Sequence, residues 1–548
     1  MPVVRGKVGP SATPAPVLRM ASGVLALVLA VPVLIVIASV AFPRAETWAH
    51  LASTVLPEYV VNTLLLAAGV GAVAAVLGVG CAWLSTMCRF PLAGMFSWAL
   101  ILPLATPAYV MAYAYTDFFQ FAGPVQSALR ALTGWSAGEY WFPDVRSLGG
   151  AVLMLGLVLY PYVYLLARTA FLEQSASTLE SARIMGYGPW ASFFRIALPL
   201  ARPAIAGGVA LCLMEALADY GTVAYFGVDT FSTGIFRAWF SLGDPVAAAQ
   251  LGALLLAFVA CVLVVERATR GRAAFHAGTR RRQVEYPLTG IRAGAAIATC
   301  AIPLAAGFLV PVALLLHLAW QDRDAALGRH LAGLAANSLT LAALAALLTV
   351  GCALVIAYSA RLGPGFLSRA AHGVAGLGYA LPGVVVAVGV MVPLARMDQL
   401  LGGWISAHSG APAGLIFSGT VIALLYAYLV RFLAIALQTV EAGLSKIKPS
   451  MDDAARSLGA GPAATLARVH APLLRRSLVT AALLVFVDVM KELPATLALR
   501  PFNFDTLAVQ AFNFAKDERL AEASVPALAI ILAGLVPVYL LARSMARR

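Results

Sequence analysis

Charge is scarce in this 548-residue sequence: Asp, Glu, Lys and Arg make up 11% of it, against ~25% in an average soluble protein. No stretch is polar enough to surround a water-soluble core, which excludes a string of soluble domains. Cysteine is sparse too. Cys81, Cys88, Cys212, Cys261, Cys300 and Cys352 form no CxxC pair and have no histidine at metal-ligand spacing, so they read as small core residues. The seven histidines are scattered without an HExxH pair, and His276, His470 and the rest are expected to be solvated or interfacial. There is no G-x-x-x-x-G-K-[ST] phosphate loop, since Gly6-Lys7 is followed by valine, so the chain itself is not expected to hydrolyse ATP. No nucleophile–base or metal constellation suggests an enzyme acting on lipids. No catalytic residue, cofactor or resident metal is expected.

What is present is apolar: 61% of residues are hydrophobic and mean hydropathy is +0.87. A helix needs about 20 apolar residues to cross the hydrocarbon layer, and lipid cannot satisfy open backbone groups. Twelve segments meet this at 17–42, 61–86, 97–119, 148–170, 203–225, 246–266, 293–319, 335–360, 371–395, 413–432, 477–499 and 524–543. The fold expected is therefore an all-α integral membrane protein of about 12 transmembrane helices. The first apolar run exceeds a signal-peptide core and is expected to stay as an anchor. The net charge of +13 sits in short gaps between spans, where it orients helices in lipid, and so does not point to nucleic acid. Seven arginines between Arg267 and Arg292 and seven basic residues between Arg431 and Arg476 dominate the even-numbered gaps. They place both termini in the cytoplasm and the 120–147 gap outside.

An offset of 273 residues aligns the two halves. Glu180-Ser181-Ala182, Gly186, Ile196, Leu198 and Pro199 match Asp453-Ala454-Ala455, Gly459, Val469, Ala471 and Pro472. Glu215 aligns with Asp488 and Asp219 with Glu492, while an offset of 275 aligns Asn62-Thr63-Leu64 with Asn337-Ser338-Leu339. Six spans per half is an even number, so the two six-helix repeats are parallel. The organisation expected is a cytoplasmic tail at 1–16, a first half at 17–266, an Arg-rich cytoplasmic linker at 267–292 and a second half at 293–548. Each half carries a cytoplasmic loop, at 179–199 and 452–472, that reads as short helix, glycine permitting a positive φ, helix and proline.

This loop resembles the EAA motif of permease subunits in binding-protein-dependent ABC importers. Residues 180–199 fit with Ser181 in place of an alanine, and 453–472 fit with Asp453, Val469 and Ala471 in place of Glu, Ile and Leu. The resemblance implies loops that dock on a separate cytoplasmic ATPase, two copies for two loops, through Glu180, Ala182, Gly186, Pro199, Asp453, Ala455, Gly459 and Pro472. It also implies a bacterial inner-membrane location and a periplasmic substrate-binding protein. Ala218-Asp219-Tyr220-Gly221-Thr222 with its continuation to Asp244, and Lys491 to Thr506, are similar to the ferric-iron branch with both halves fused in one chain.

Acids within a span cost at least ~2.5–3.5 kcal/mol near the bilayer centre and should face protein or a wet path. Glu215, Asp219, Asp488 and Glu492, each pair at i,i+4 on one helix face, are the candidate translocation pathway, with Lys491 partly neutralising Asp488. Fe³⁺ favours hard oxygen donors, which suits carboxylates. The same residues also suit thiamine or a polyamine, a phosphonate permease would share the architecture, and an ion-coupled secondary transporter is the alternative of another class. Tyr109, Tyr113 and Tyr115 beside Asp117 offer oxygen ligands, though an interfacial aromatic belt explains them more simply.

Overall fold

The computed structural model describes residues 15–42, 44–136, 138–174, 184–270, 286–321, 329–363, 365–409 and 414–546. Apart from one two-residue parallel pairing, Cys88–Arg89 with Tyr286–Pro287, its regular structure is helical. Among the described residues ten helices are long and apolar enough to cross a membrane, from Leu18–Ser39 to Leu520–Leu540, and one further bent pair makes eleven. Their outward faces are apolar, Val76 being 73% and Leu347 70% exposed, as lipid contact requires.

Three of the twelve expected segments are broken or end early. The third segment is the bent pair, Ala93–Ala105 and Ala108–Thr133, which meet at 91°. Pro103 and Pro107 each remove a backbone donor there and stop the helix. In the second half Pro382 stands 275 residues after Pro107, and the segment expected at 371–395 divides into Phe366–Leu377 and Gly383–Ser409. The segment expected at 477–499 ends early, because Ala471–Met490 gives way to a separate short helix, Pro494–Leu499. The cysteines are also only partly internal: Cys81, Cys88, Cys212 and Cys300 are buried, Cys352 is half-buried and Cys261 is exposed.

The chain packs as two compact units assembled from non-contiguous segments. One contains residues 15–34, 341–379 and 425–489, held by a Ser22–Ser359 hydroxyl contact of 3.1 Å and by Gly443, where an added Cβ would lie 2.6 Å from Ser477 Oγ. The other contains the remainder, centred on helices Leu56–Met87 and Leu148–Glu173. These two approach through small residues: a Cβ at Gly78 would come within 2.7 Å of Val163, and one at Gly156 within 2.5 Å of Val73. Without a hydrophobic force between helices in lipid, such close backbone approach supplies the dispersion contacts that hold them together.

The repeat reaches the level of single hydrogen bonds. Asn62 donates to the Asp229 carbonyl at 2.9 Å and Thr63 accepts from Phe231 N at 3.3 Å. Their counterparts Asn337 and Ser338 bond Asp505 O at 3.1 Å and Leu507 N at 2.8 Å. Asn and a hydroxyl side by side therefore do one job twice: each pair fastens the start of a long helix to the loop that follows a broken one.

Candidate functional site

Both loop glycines adopt the left-handed conformation their positions suggested, φ +82° at Gly186 and +79° at Gly459. At Gly459 the reason is a helix stop. The helix Pro449–Ser457 closes with Gly459 N donating to Arg456 O and Ala460 N to Ala455 O, both at 2.9 Å, the paired bonds of a Schellman cap. The elements beyond are repeated at the same 273-residue offset: short helices Pro189–Ser192 and Pro462–Thr465, π-helical turns Phe193–Ala197 and Leu466–His470, then long helices with Pro199 and Pro472 in their first turns. Glu180 and Ala182 lie outside the described residues. Asp453 is exposed and paired to Arg456 at 2.6 Å, while Ala455 is buried. Apolar side chains flank both glycines with no cover: Ile184, Met185 and Leu458 are 87%, 65% and 87% exposed.

The second loop is fastened from beneath by residues sequence reading passed over. Arg361, near the end of helix Arg329–Leu362, reaches Asp452 Oδ2 at 2.7 Å and the carbonyls of Leu444 and Ile447 at 2.8 and 2.9 Å. His470 Nε2 sits 2.7 Å from Asp452 Oδ1, and Tyr358 donates to Pro462 O at 2.9 Å. His470 is fully buried, which corrects its reading as solvated or interfacial; burial lowers its pKa against the opposing pull of Asp452. In the first half Leu179 and Ala197 stand in place of Asp452 and His470, so the sequence there carries neither partner of this ion pair. Arg361→Ala is expected to loosen the loop by about 3 kcal/mol, because it leaves Asp452 without its main cation. Faster protease nicking within 445–470, with nicking elsewhere unchanged, is the check; an unchanged rate would remove the clamp from the account.

The membrane acids stand at the helix breaks. Helix Leu198–Ala218 stops just before Asp219, whose Oδ1 accepts from Thr222 N at 2.9 Å and Val223 N at 3.2 Å and whose Oδ2 accepts from the Thr222 hydroxyl at 3.1 Å. Glu492 repeats this at the same offset: Ala495 N donates to Oε1, and Thr496 N to Oε2, each at 2.9 Å. Each carboxylate thus satisfies the orphan donors of a short helix, Gly221–Tyr225 or Pro494–Leu499. The expectation that each acid pair shares one helix face is overturned here, since the helix ends between Glu215 and Asp219 and again between Asp488 and Glu492. The structure does bring Asp219 and Glu492 to one place. A Cβ on Gly221 would lie 2.7 Å from Tyr109 Cβ and 2.8 Å from Leu493 Cδ2, and Tyr109 is within electrostatic reach of both acids.

Residues 74–270 and 349–548 each match the family described as binding-protein-dependent transport system inner membrane component. The chain belongs to this family. The permease is 27% identical over 497 residues to the Fe(3+)-transport system permease protein FbpB 2 of Haemophilus influenzae, covering 89% of this chain and 90% of that protein. It is 24% identical over 465 residues to the ferric transport system permease protein FbpB of Actinobacillus pleuropneumoniae, 80% and 64% of the two chains. A shorter match, 29% over 149 residues, joins 27% of this chain to 62% of the molybdenum transport system permease protein ModB of Escherichia coli.

Of the other expected site residues, Glu215, Asp488 and Lys491 are half-buried. Among the described residues Glu266 and Asp398 are also buried acids; Asp398, which the expected limits left in a gap, lies in helix Gly383–Ser409 and accepts from the backbone N–H groups of Ile416, Phe417 and Ser418. Tyr109, Tyr113 and Tyr115 are 4%, 2% and 5% exposed, which overturns the aromatic-belt reading. Tyr115 donates to Ala306 O. Among the described residues no group of three or more His, Cys, Asp or Glu is placed to hold a metal ion.

Proposed function

We propose that this permease is the whole transmembrane part of an ABC importer for ferric iron, its halves at 17–266 and 293–548 joined by a cytoplasmic linker at 267–292. A periplasmic binding protein delivers the ion, and a separate cytoplasmic ATPase, in two copies, docks on loops 179–199 and 452–472. The observation that carries the substrate is the likeness to the ferric permease of Haemophilus influenzae, which runs over nine-tenths of both chains. The uncovered Met185 and Leu458, each one residue before its positive-φ glycine, support the docking role, because an exposed apolar side chain on a rigid turn suits a groove in a partner. The acids at 219 and 492 support a cation path through the membrane.

Reconstituted vesicles carrying the permease, its ATPase and its binding protein test the reading. Iron-loaded binding protein is expected to stimulate nucleotide hydrolysis and drive iron accumulation. Stimulation by thiamine, polyamine or phosphonate proteins in its place would reassign the substrate. Topology has its own check. A membrane-impermeant thiol reagent is expected to label Ser136→Cys in intact cells and Arg281→Cys only after permeabilisation, the opposite pattern inverting the orientation.

A further inference from the structure

Tyr109 and Tyr113 lie on one face of helix Ala108–Phe119, with ring centroids 5.8 Å apart. Both are buried, and neither hydroxyl has a hydrogen-bond partner among the described residues. A phenolic O–H shut away from water without a partner costs free energy that phenylalanine in the same place would avoid. Two of them four residues apart therefore call for a ligand that the protein chain does not itself supply. What stands around them indicates its charge. Gly221, in the segment headed by Asp219, packs closely against both Tyr109 and Leu493, the neighbour of Glu492. Tyr109 is within electrostatic reach of carboxylates from two symmetric positions, Asp219 and Glu492, and Tyr113 is within reach of Asp219. On the far side Tyr225 meets Tyr113 edge-on at 4.6 Å, and the Arg146 guanidinium lies 5.0 Å from the Tyr225 ring. Arg146 in turn borders a cavity of about 320 Å³ lined also by Asp117, Glu518 and Glu522. The line of side chains from that cavity through Tyr225 to Tyr113 and Tyr109 ends at the paired acids.

We propose that the hydroxyls of Tyr109 and Tyr113, together with the carboxylates of Asp219 and Glu492, form a transit site for Fe³⁺, a proposal that rests on the ferric-iron reading above. The donor set is all hard oxygen, which this ion prefers. Ligation exchanges each phenolic proton for the metal and hands it to water that enters the opened path with the ion, so the oxygen becomes phenolate and iron keeps its oxidation state; a bound cation lowers the pKa of its own ligands in this way. Two phenolates and two carboxylates then oppose the charge of one trivalent ion. The site is a place of passage, since ions move on only where binding is weak enough to leave. The three caps that each carboxylate already accepts limit how far either can close on the metal.

The test is Tyr109→Phe with Tyr113→Phe in the complete importer, reconstituted with its ATPase and iron-loaded binding protein. Phenylalanine keeps both rings and removes only the unpaired hydroxyls, so membrane levels and thermal stability should hold or rise. Iron moved per ATP hydrolysed is expected to fall by at least the ~10-fold that loss of a supporting partner costs a metal site. Wild-type complex stalled with iron and a non-hydrolysable nucleotide should show the visible phenolate-to-Fe³⁺ charge-transfer absorption, and the variant should lack it. Unchanged iron per ATP, or an absorption that survives in the variant, overturns the proposal and leaves the ferric reading intact. Failure of the wild type to accumulate iron overturns both.

Discussion

Replacing Gly186 and Gly459 together with valine is expected to reduce iron uptake to less than about a tenth, with both loops still made and all spans still inserted. The backbone supplies the reason. Each glycine sits near φ +80°, and a Cβ built on either meets nothing within 4 Å, so the penalty is conformational rather than a clash. Left-handed backbone costs an ordinary L residue about 1–2 kcal/mol, and a β-branched one more. At roughly 2 kcal/mol the cap gives way to other turns by a factor of about 30. At Gly459 the bonds from Gly459 N and Ala460 N are then lost, and Leu458 no longer points where the stop had aimed it. A loop that transmits ATPase movement as a rigid-body push fails once its direction is undefined. Asparagine, which tolerates this conformation, is the control: Gly186→Asn with Gly459→Asn should retain most uptake. Equal loss with asparagine and valine would mean that the glycines are needed for something other than φ. Normal uptake and ATPase co-purification with valine would remove the loops from coupling altogether.

The repeat and the turn glycines were legible because both are written in spacing. An offset kept over three dozen residues, with glycine where only positive φ serves, survives translation into helix, turn, π-helical turn and helix at the same offset. The breaks were less legible. Asp219 and Glu492 read as buried charges on a helix face because hydropathy continues through them, and nothing in a window average registers that a carboxylate three or four residues before a threonine can end one helix and begin another. Proline did announce two of the breaks, at Pro107 and Pro382, yet it was outweighed by the apolar run around it. The clamp under the second loop could not be read at all, since Arg361 and Asp452 are 91 residues apart and the first half carries Leu179 and Ala197 in place of Asp452 and His470. The tyrosines show the limit of composition most plainly: an aromatic cluster near a span end is usually interfacial, and only packing reveals that Tyr109 and Tyr113 are inside with their hydroxyls unmet.

The capping geometry also decides which acid can report on charge. At Asp219 both backbone donors go to one oxygen, Oδ1, and the other oxygen takes only the Thr222 hydroxyl. Asp219→Asn can keep its carbonyl on Thr222 N and Val223 N and turn its amide toward Thr222 Oγ1, which accepts as readily as it donates. Asparagine caps about as well as aspartate, so membrane level and melting temperature should match wild type. At Glu492 the backbone donors are divided, Ala495 N on Oε1 and Thr496 N on Oε2, so glutamine must set an amide N–H₂ against a backbone N–H. Glu492→Gln should cost about 1–3 kcal/mol of local stability in a buried place, and lower protein levels would confound its uptake. The clean experiment is therefore Asp219→Asn. Even at ~10 Å, well beyond ligation distance, a unit charge on a trivalent ion at an effective dielectric near 20 is worth roughly 5 kcal/mol before screening, and about 1.4 kcal/mol is enough for a tenfold change. Ferric iron uptake in Asp219→Asn vesicles, normalised to permease content and ATPase activity, is expected to fall at least tenfold with the melting curve unmoved. Uptake at the wild-type rate would confine Asp219 to ending one helix and starting the next, and the cation path would have to run where its charge is not felt.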